Sequence, residues 1–168
     1  SGVSRLSYDE PQTSPDGKTV WLRTSKVPLL DSGGQTIGIL GIYEDITDRK
    51  LAEVTLRQRE EYQRALLDNF PFMVWLKDAE SRFLAVNTPF SEIFGWPSAE
   101  SLIGKTDFDI TTPEFANAYR TVDRAVLESG QRQSVEELID VGGGPCFFEV
   151  YKSPVTLQGQ PVGTVGFA

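Results

Sequence analysis

The order of strand-like and helix-like segments predicts an α+β fold, in which a five-stranded antiparallel sheet carries its helices on one face. From residue 72 onward, two strand-like segments come first, several short helical segments and one longer helix follow, and three strand-like segments end the sequence. Strands and helices that are segregated along a chain in this way are typical of α+β domains. A long helix and a partial sheet from a preceding domain are predicted ahead of this domain.

The first hairpin of this domain is predicted over residues 72–87, FMVWLKDAESRFLAVN, with its turn at DAES. Its first strand is apolar in both alternation phases, with Val74 and Leu76 in one phase and Met73 and Trp75 in the other. A strand that is apolar on both sides needs cover on both faces of its sheet.

Helices are predicted in the middle of the domain. In NTPFSEIFG, Thr88 is expected to cap a short helix that Gly95 ends, and short helical turns are expected over SAESLIGKTDFDITTP. Residues 114–128 repeat apolar side chains at three-to-four spacing, which predicts an amphipathic helix that Gly130 stops. The apolar positions of that helix are Phe115, Ala118, Tyr119, Val122, Ala125 and Val126. The segments QSVEELIDV, CFFEVYKSPVTL and PVGTVGFA are the predicted closing strands.

A sequence repeat relates the two ends of the chain. GKTVWLRTSKVPL, residues 17–29, aligns with GGPCFFEVYKSPV, residues 143–155, so that Lys26 falls on Lys152. After a one-residue shift, GQTIGILGI aligns with GQPVGTVGF. The period is about one domain, which indicates domain duplication, although two unrelated hairpins rich in Gly and Pro would look similar. The predicted parts are a truncated first domain over 1–46, a linker helix over 47–68 and a complete second domain over 69–168.

The predicted linker helix has a clear start and a polar surface. Thr47 is a favourable N-cap, Asp48 places a negative charge in the first turn, and no Gly or Pro follows before Asp68. Its apolar positions form only a heptad that Gln58 and Glu61 break. We expect the helix to lie against its own sheet at its C-terminal end and to pair with a second chain in its middle. The alternative is a helix that packs within one chain.

Composition and charge disfavour several classes of function. The 168 residues are 39% hydrophobic and 24% charged, as in folded proteins, and carry a formal net charge of -8 without a basic run. We therefore expect no nucleic-acid binding. No apolar stretch approaches the roughly 18 residues of a membrane helix, so we expect a cytoplasmic fragment without membrane contact. The absence of His removes Ser-His and Cys-His catalysis.

The sequence resembles the PAS family, the sensory modules of bacterial signalling proteins, over nearly all of its length. The resemblance is carried by WLKDAESRFLAVNTPFSEIFGW and SLIGKTDFD in the second copy, and by WLRTSKVPLLDSGGQTIGILGIYEDITDRK in the first. EDITDRK resembles the Asp-Ile-Thr junction between PAS domains and the helix that leaves them. By this resemblance, Asp45, Ile46 and Thr47 pass a change in the sheet to the helix.

The resemblance also implies an effector outside this fragment, since PAS repeats most often precede a histidine kinase or a cyclic-di-nucleotide enzyme such as a diguanylate cyclase. Some members hold flavin through a reactive Cys and others hold haem through His. Both cofactors are disfavoured here, because Cys146 begins a predicted strand and His is absent. The sequence identifies no other cofactor.

A few residues suggest chemistry, and each has a structural interpretation. Asp107 and Asp109 could form a metal pair or an acid and base, but we expect them to accept backbone N-H groups at a short helical turn. Cys146 is expected to be a small buried or edge residue. The triplet Gly142–Gly144 leads into a strand and is expected to be a hairpin turn, because a phosphate loop leads into a helix.

A ligand cavity is expected between the inner face of the sheet and the longer helix. Its candidate wall residues, all of which would serve equally well as ordinary core, are Ile93, Phe94, Phe108, Tyr119, Val122, Tyr151 and Val165. The favoured function is a sensor that relays the binding of a small ligand or partner, and the alternative is a ligand-free interaction or dimerisation module. The N-terminal strands need cover from their own helix or from a second chain, so a homodimer through these strands and the helix is expected.

Overall fold

The computed structural model describes residues 5–141 and 144–168. They form two compact units that divide between Glu61 and Tyr62, and each unit has its own antiparallel sheet.

The first unit contains three strands in the order β1-β2-β3 and most of one long helix. Its elements are β1 (Arg5–Thr13), β2 (Thr19–Leu30), β3 (Thr36–Asp45) and α1 (Thr47–Asp68). The predicted turn DSGG forms because Asp31 Oδ1 accepts hydrogen bonds from the N-H groups of Gly33 and Gln35 at 2.9 and 2.8 Å. Gly34 supplies the positive φ, 80°, that this turn requires.

The second unit has the predicted five-stranded antiparallel sheet with its helices, so the predicted fold class is confirmed. The sheet order is β5-β4-β8-β7-β6. Its elements are β4 (Val74–Asp78), β5 (Phe83–Val86), α2 (Thr88–Ile93), a 3₁₀ turn (Ala99–Leu102), α3 (Asp107–Ile110), α4 (Pro113–Ser129), β6 (Gln133–Asp140), β7 (Pro145–Leu157) and β8 (Gln160–Phe167).

Side-chain caps fix the helix ends in this unit. The predicted cap of α2, Thr88, is wrong by one residue: Asn87 is the N-cap, and its Oδ1 accepts from Phe90 N at 3.2 Å and from Val74 N at 2.9 Å. One amide oxygen thus starts the helix and holds it against β4. At the C-terminal end of α4, Gly130 adopts the left-handed conformation and ends the helix, as predicted.

The core of the second unit lies between the sheet and the helices and is rich in aromatic rings. Phe90 is central, with its ring centroid 5.6 Å from Trp75, 5.3 Å from Phe83 and 4.8 Å from Phe94. The buried hydrophobic cluster consists of Met73, Trp75, Phe83, Val86, Phe90, Leu102, Tyr119, Ile139 and Val150.

The outer face of this sheet carries a second row of rings. Tyr151 stacks on Phe167 with centroids 4.9 Å apart, and Phe72 lies 5.6 Å from Phe167 and 5.1 Å from Phe70. Both faces of the sheet are therefore apolar, as the two alternation phases of β4 indicated.

The long helix α1 occupies the predicted range and buries none of its own residues. Leu51, Val54 and Leu66 are among its exposed apolar side chains. We expected its C-terminal end to lie against a sheet, but its last turn is bonded to the cap of α2, where Asn87 Nδ2 donates to Leu67 O at 3.1 Å. Among the residues described, no helix is long and apolar enough to cross a membrane.

Candidate functional site

Five charged side chains form an ion network inside the second unit. Lys77 Nζ of β4 lies 2.7 Å from Asp107 Oδ1 of α3 and 2.9 Å from Asp123 Oδ2 of α4. Lys152 Nζ of β7 lies 3.1 Å from Asp123 Oδ1 and 2.8 Å from Glu137 Oε1 of β6. Each of these residues is at most 9% exposed. The network thus joins three strands to two helices through the core.

Strand alternation and helix spacing bring these charges together. Lys152 follows Val150 on the inner face of β7, and Lys77 follows Trp75 on the inner face of β4. Asp123 lies four residues after Tyr119 on the buried face of α4. The predicted apolar face of α4 is therefore partly wrong, since Ala118 is exposed and Asp123 occupies the centre of the buried face. The two lysines explain why a carboxylate is stable there.

Burial and pairing shift the pKa values of the network in opposite directions. Burial raises the pKa of Asp107, although Lys77 partly offsets this effect. Burial likewise raises the pKa of Glu137, partly offset by Lys152. Burial also acts on Asp123, but Lys77 and Lys152 together hold its pKa below the usual value. For Lys77, burial is outweighed by Asp107 and Asp123, which raise its pKa. Asp123 is therefore the carboxylate that the lysines stabilise most.

A small cavity lies next to this network in the core. Its volume of about 20 Å³ is enough for one water molecule. Its walls combine aromatic, aliphatic and charged side chains: Met73, Trp75, Lys77, Phe83, Phe90, Phe94, Asp107, Ile110, Tyr119, Glu137, Ile139 and Lys152.

An open groove of about 460 Å³ runs between α4 and β6. It is lined by Glu114, Phe115, Ala118, Tyr119, Val122, Val135, Glu136, Glu137 and Leu138. Tyr119 and Glu137 line both the groove and the core cavity, so these two side chains separate the two spaces. Tyr119 Oη donates to Leu138 O at 2.9 Å and so ties α4 to β6 across the groove. Burial raises the pKa of Tyr119, which keeps this donor protonated.

A further hollow of about 370 Å³ lies beside the last turns of α1, where Arg64 pairs with Glu100 at 2.6 Å. Both side chains of this pair are largely exposed. The groove is the better candidate site, because it shares Tyr119 and Glu137 with the core cavity beside the ion network.

The predicted wall residues divide into three groups. Phe94 lines the cavity, Val122 lines the groove, and Tyr119 lines both, while Ile93 packs against the core from a half-buried position. Phe108 is 43% exposed, and the Arg120 guanidinium lies 5.3 Å from its ring centroid.

Tyr151 and Val165 do not reach the cavity. They lie on the outer face of the sheet, because Val150, Lys152 and Thr164 occupy the inner phase of β7 and β8. The sequence prediction chose the wrong alternation phase here, because the residues of the inner phase include a lysine and a threonine.

The predicted junction between sheet and helix is tied to the sheet through one residue. Trp21 O accepts from Ile46 N at 2.8 Å, and Trp21 N donates to Thr47 Oγ1 at 2.8 Å. Asp45 Oδ1 accepts from Thr47 N at 2.9 Å, and this bonding to Thr47 lowers the pKa of Asp45. Ile46 is buried. The chain therefore passes from β3 into α1 without a free linker.

Asp107 and Asp109 have different roles. Asp109 acts as expected, because its carboxylate accepts from Thr106 N at 2.8 Å in a capping box. The same expectation is wrong for Asp107, whose two oxygens accept from Lys77. Within the described ranges, no group of three or more His, Cys, Asp or Glu is placed to bind a metal ion.

Cys146 lies at the start of β7 and follows the glycine triplet in the sequence. Cys146 is an exposed residue that pairs with Ile139 of β6. Gly142 and Gly143 of the predicted hairpin turn lie outside the described residues, and Gly144 has a φ of 117°.

Sequence reasoning missed most of the ion network, namely Lys77, Asp123, Glu137 and Lys152. The alignment of Lys26 with Lys152 was one available signal. A lysine that recurs at the same position of two apolar strands indicates a structural role, because surface positions rarely keep the same residue in both copies of a repeat. The positions of Asp123 and Glu137 carried no such signal, because acidic residues in amphipathic segments are usually exposed.

The fold and the site define an α+β module with a cavity and a groove between an antiparallel sheet and its longest helix. Residues 5–51 and 67–168 match the sequence model of the family described as PAS fold, and the chain belongs to this family.

Several known proteins are similar to parts of this chain. An uncharacterised protein, y4lL, from Sinorhizobium fredii is 40% identical over 80 residues, which are 48% of this chain and 10% of that protein. The sensor protein FixL from Bradyrhizobium diazoefficiens is 25% identical over 122 residues, which are 69% of this chain and 24% of FixL. This chain thus spans a quarter or less of the length of these relatives. A structure of VqmA bound to DPO is 30% identical with a TM-score of 0.57, covering 63% of this chain and 55% of VqmA.

Proposed function

We propose that this chain is a sensory module of a signalling protein, in which a small ligand or a partner binds at the groove of the second unit. The change of state passes through α1 to an effector domain of the histidine kinase or diguanylate cyclase type outside this fragment, in the cytoplasm. The family supports this proposal, as do a relative named as a sensor protein and another solved bound to DPO. No reaction is proposed for the chain itself.

The observation that carries the proposal is the double role of Tyr119 and Glu137. Both line the open groove on one side and the core cavity on the other. A ligand in the groove would contact the same side chains that reach the ion network and the backbone of β6. Binding would therefore change how α4 is held against the sheet, and a ligand shifts such an equilibrium by its differential affinity for the two states.

The relay that we propose uses the hydrogen bonds at the ends of α1. At its start, Thr47 is bonded to Trp21 in the middle strand of the first sheet. At its end, Asp68 Oδ1 accepts from Thr88 N and Thr88 Oγ1 at 2.8 and 2.9 Å, and Leu67 O accepts from Asn87. These bonds join one end of the helix to β2 and the other end to the start of α2. A displacement of either element would therefore move the helix.

The alternative function is a ligand-free interaction and dimerisation module. It is favoured by the first unit, where Ile37, Ile39, Leu40 and Ile42 of β3 are all exposed. Because α1 buries none of its residues, the helix does not supply the cover that these side chains need. In this alternative, the strands and α1 of a second copy would supply it.

A ligand screen distinguishes the two functions. We would record the native mass spectrum of the purified chain and measure its thermal shift against a broad metabolite library. For each compound that stabilises the chain, the measurement would be repeated on Val122→Trp, which fills the groove. Thr121→Trp is the matched control, because Thr121 is the exposed neighbour on the same helix. We expect stabilisation that Val122→Trp abolishes and Thr121→Trp retains. No bound species and no stabilising compound would leave the interaction module as the function.

A further inference from the structure

Acceptors surround the two ammonium groups of the buried ion network. An ammonium group has three donors. Lys77 Nζ donates to both oxygens of Asp107 and to Asp123. Lys152 Nζ contacts Glu137 Oε1, Asp123 Oδ1 and the Tyr119 carbonyl at 2.8, 3.1 and 3.2 Å. Acceptors therefore surround both ammonium groups and disfavour an anion that enters from the groove.

The acceptors of the same network exceed its donors. A carboxylate offers about four lone-pair positions. Glu137 Oε1 accepts from Lys152, and among the described residues none donates to Glu137 Oε2. Glu137 is at least nine-tenths buried and lines both the cavity and the groove. Burial raises the pKa of Glu137, so its charged form lacks full compensation. A donor from a ligand would supply it.

The charges along the groove act in the same direction. Its lining residues include Glu114, Glu136 and Glu137 and contain neither Lys nor Arg. Lys152 offsets the charge of Glu137, so the negative charge of the groove comes mainly from Glu114 and Glu136, which repel an anionic ligand and attract a cation or a neutral donor.

The apolar lining sets the form of the ligand. The rings of Phe115 and Tyr119 lie 6.3 Å apart at an interplanar angle of 22°, and Val122 lies beside them on α4. Nearly parallel rings favour a flat ligand, because a third ring can stack on one of them, and a ligand cation can also interact with their faces.

We propose that the groove binds a flat, aromatic or heteroaromatic molecule that is uncharged or cationic and presents N-H or O-H donors to Glu137. This inference rests on the proposed function, since it names the ligand class of the same site. Its consequence is that carboxylate and phosphate metabolites are not the signal.

Three probes of the same size test this inference, namely benzamidine, benzamide and benzoate. They share a ring, but the first is a cationic donor, the second a neutral donor and the third an anion without donors. Their affinities for the 168-residue chain would be measured by titration calorimetry and by ligand-observed NMR. We expect benzamidine to bind best, benzamide to bind more weakly and benzoate to bind at least about tenfold more weakly than benzamide.

Glu137→Gln should weaken benzamidine about tenfold, because it removes the charge and one acceptor. Glu149→Gln is the matched control, since Glu149 lies on the outer face of the sheet and should leave the affinity unchanged. If Glu137→Gln does not fold, the order of the three probes on the unaltered chain still decides the question.

Benzoate binding as well as benzamide, or benzamidine binding unchanged in a folded Glu137→Gln, would overturn the inference. If none of the three probes binds but library compounds bind in a manner that Val122→Trp abolishes, the ligand class is wrong and the proposed function stands. If neither the probes nor the library bind, both are wrong.

Discussion

Lys77 and Lys152 are charged residues in a core that consists mainly of aromatic and aliphatic side chains. An unpaired ammonium in such a place would cost several kcal/mol, and it is stable only when carboxylates and hydrogen bonds surround it. Asp123 meets this need for both lysines at once, because each of its oxygens lies within 3.1 Å of a different ammonium. Asp123 is thus the centre of the network and holds β4 and β7 against α4.

Residue-level sequence reasoning found two aromatic wall residues of the site, Phe94 and Tyr119, and missed most of its charges. Phe94 and Tyr119 were predictable, because large aromatic side chains in or beside the helices of an α+β domain are usually buried in its core. Lys77 and Asp123 were not, since the contacts that make them stable join residues 46 positions apart. Tyr151 and Val165 show the related error of strand phase, where one residue of shift exchanges the two faces.

Two carboxylates of the network should respond to pH with opposite signs. The pKa of Glu137 is raised in the folded state, so its contribution to stability is present at low pH and is lost as pH rises through that pKa. The pKa of Asp123 is lowered, so its contribution is present at high pH and is lost as pH falls. As pH rises from about 4 to about 8, the stability of Glu137→Gln should therefore rise relative to that of the unaltered chain. The stability of Asp123→Asn should fall relative to the unaltered chain as pH rises toward about 4, and this deficit should then stay constant up to about pH 8.

Urea unfolding at a series of pH values measures both trends. Each variant is the control for the other, because both replace a carboxylate by an amide in the same network. The same direction of change in both variants would show that pairing does not distinguish these two groups.

At the scale of elements, two glycines allow β8 to lie against β4. A Cβ atom on Gly163 would collide with the backbone carbonyl of Lys77, and one on Gly166 would collide with the Trp75 ring. Their partners in the sequence repeat, Gly38 and Gly41, lie in β3, which is an edge strand of the first sheet. Gly38 would meet only Leu29 Cδ1, at 3.7 Å, which is an ordinary contact.

The repeat therefore predicts different effects of the same substitution. Gly163→Val should lower the free energy of unfolding by about 3 kcal/mol or more, because the obstacle is backbone that cannot move without breaking the β4-β8 pairing. Gly38→Val should change it by about 0.5 kcal/mol or less, because no close neighbour has to move. Urea unfolding followed by tryptophan fluorescence compares the two variants, and similar losses in both would contradict the packing of β4 on β8.

The junction of β3 and α1 gives a second test at this scale. Thr47→Val keeps the shape of the side chain but removes the oxygen that accepts the Trp21 N-H at 2.8 Å. We expect a loss of about 1 kcal/mol and faster hydrogen exchange at Trp21 and in the first turn of α1.

Thr55→Val is the control for this junction, because Thr55 is exposed in the same helix. It should leave the exchange of Trp21 unchanged. Equal exchange in the two variants would mean that Thr47 does not hold the helix to the sheet, and the relay we propose would lose its first step.

Element order was largely predictable, because local signals specify it. Gly130 stops α4, the Asx-turn residue Asp31 closes the β2-β3 turn, and the absence of Gly and Pro allows α1 its full length. The cap of α2 was missed although local capping preference ranks Asn above Thr. Asn87 also accepts from Val74 N, and this tertiary contact was not predictable from the sequence.

At the scale of the whole molecule, apolar surface is concentrated in the first unit. Ile39 of β3 is 71% exposed, and Ile37 is 68% exposed on the same face. β3 is also an edge strand, with backbone groups free to pair. Such an edge favours association with a second copy, whereas the net charge of -8 opposes it at low ionic strength.

These opposing effects predict a dimer whose stability rises with salt, because salt screens the repulsion between two acidic chains and does not weaken apolar contacts. Sedimentation equilibrium over a range of concentrations should show a monomer-dimer equilibrium that shifts toward the dimer as the ionic strength increases from about 0.01 to about 0.15 M. Ile39→Lys should shift it back to the monomer. Leu157→Lys is the control, since Leu157 is 63% exposed at the β7-β8 turn of the second unit and should have no effect. A monomer at every concentration and salt, or equal effects of the two substitutions, would remove the N-terminal strands as a dimer interface and with them the main support for the ligand-free alternative.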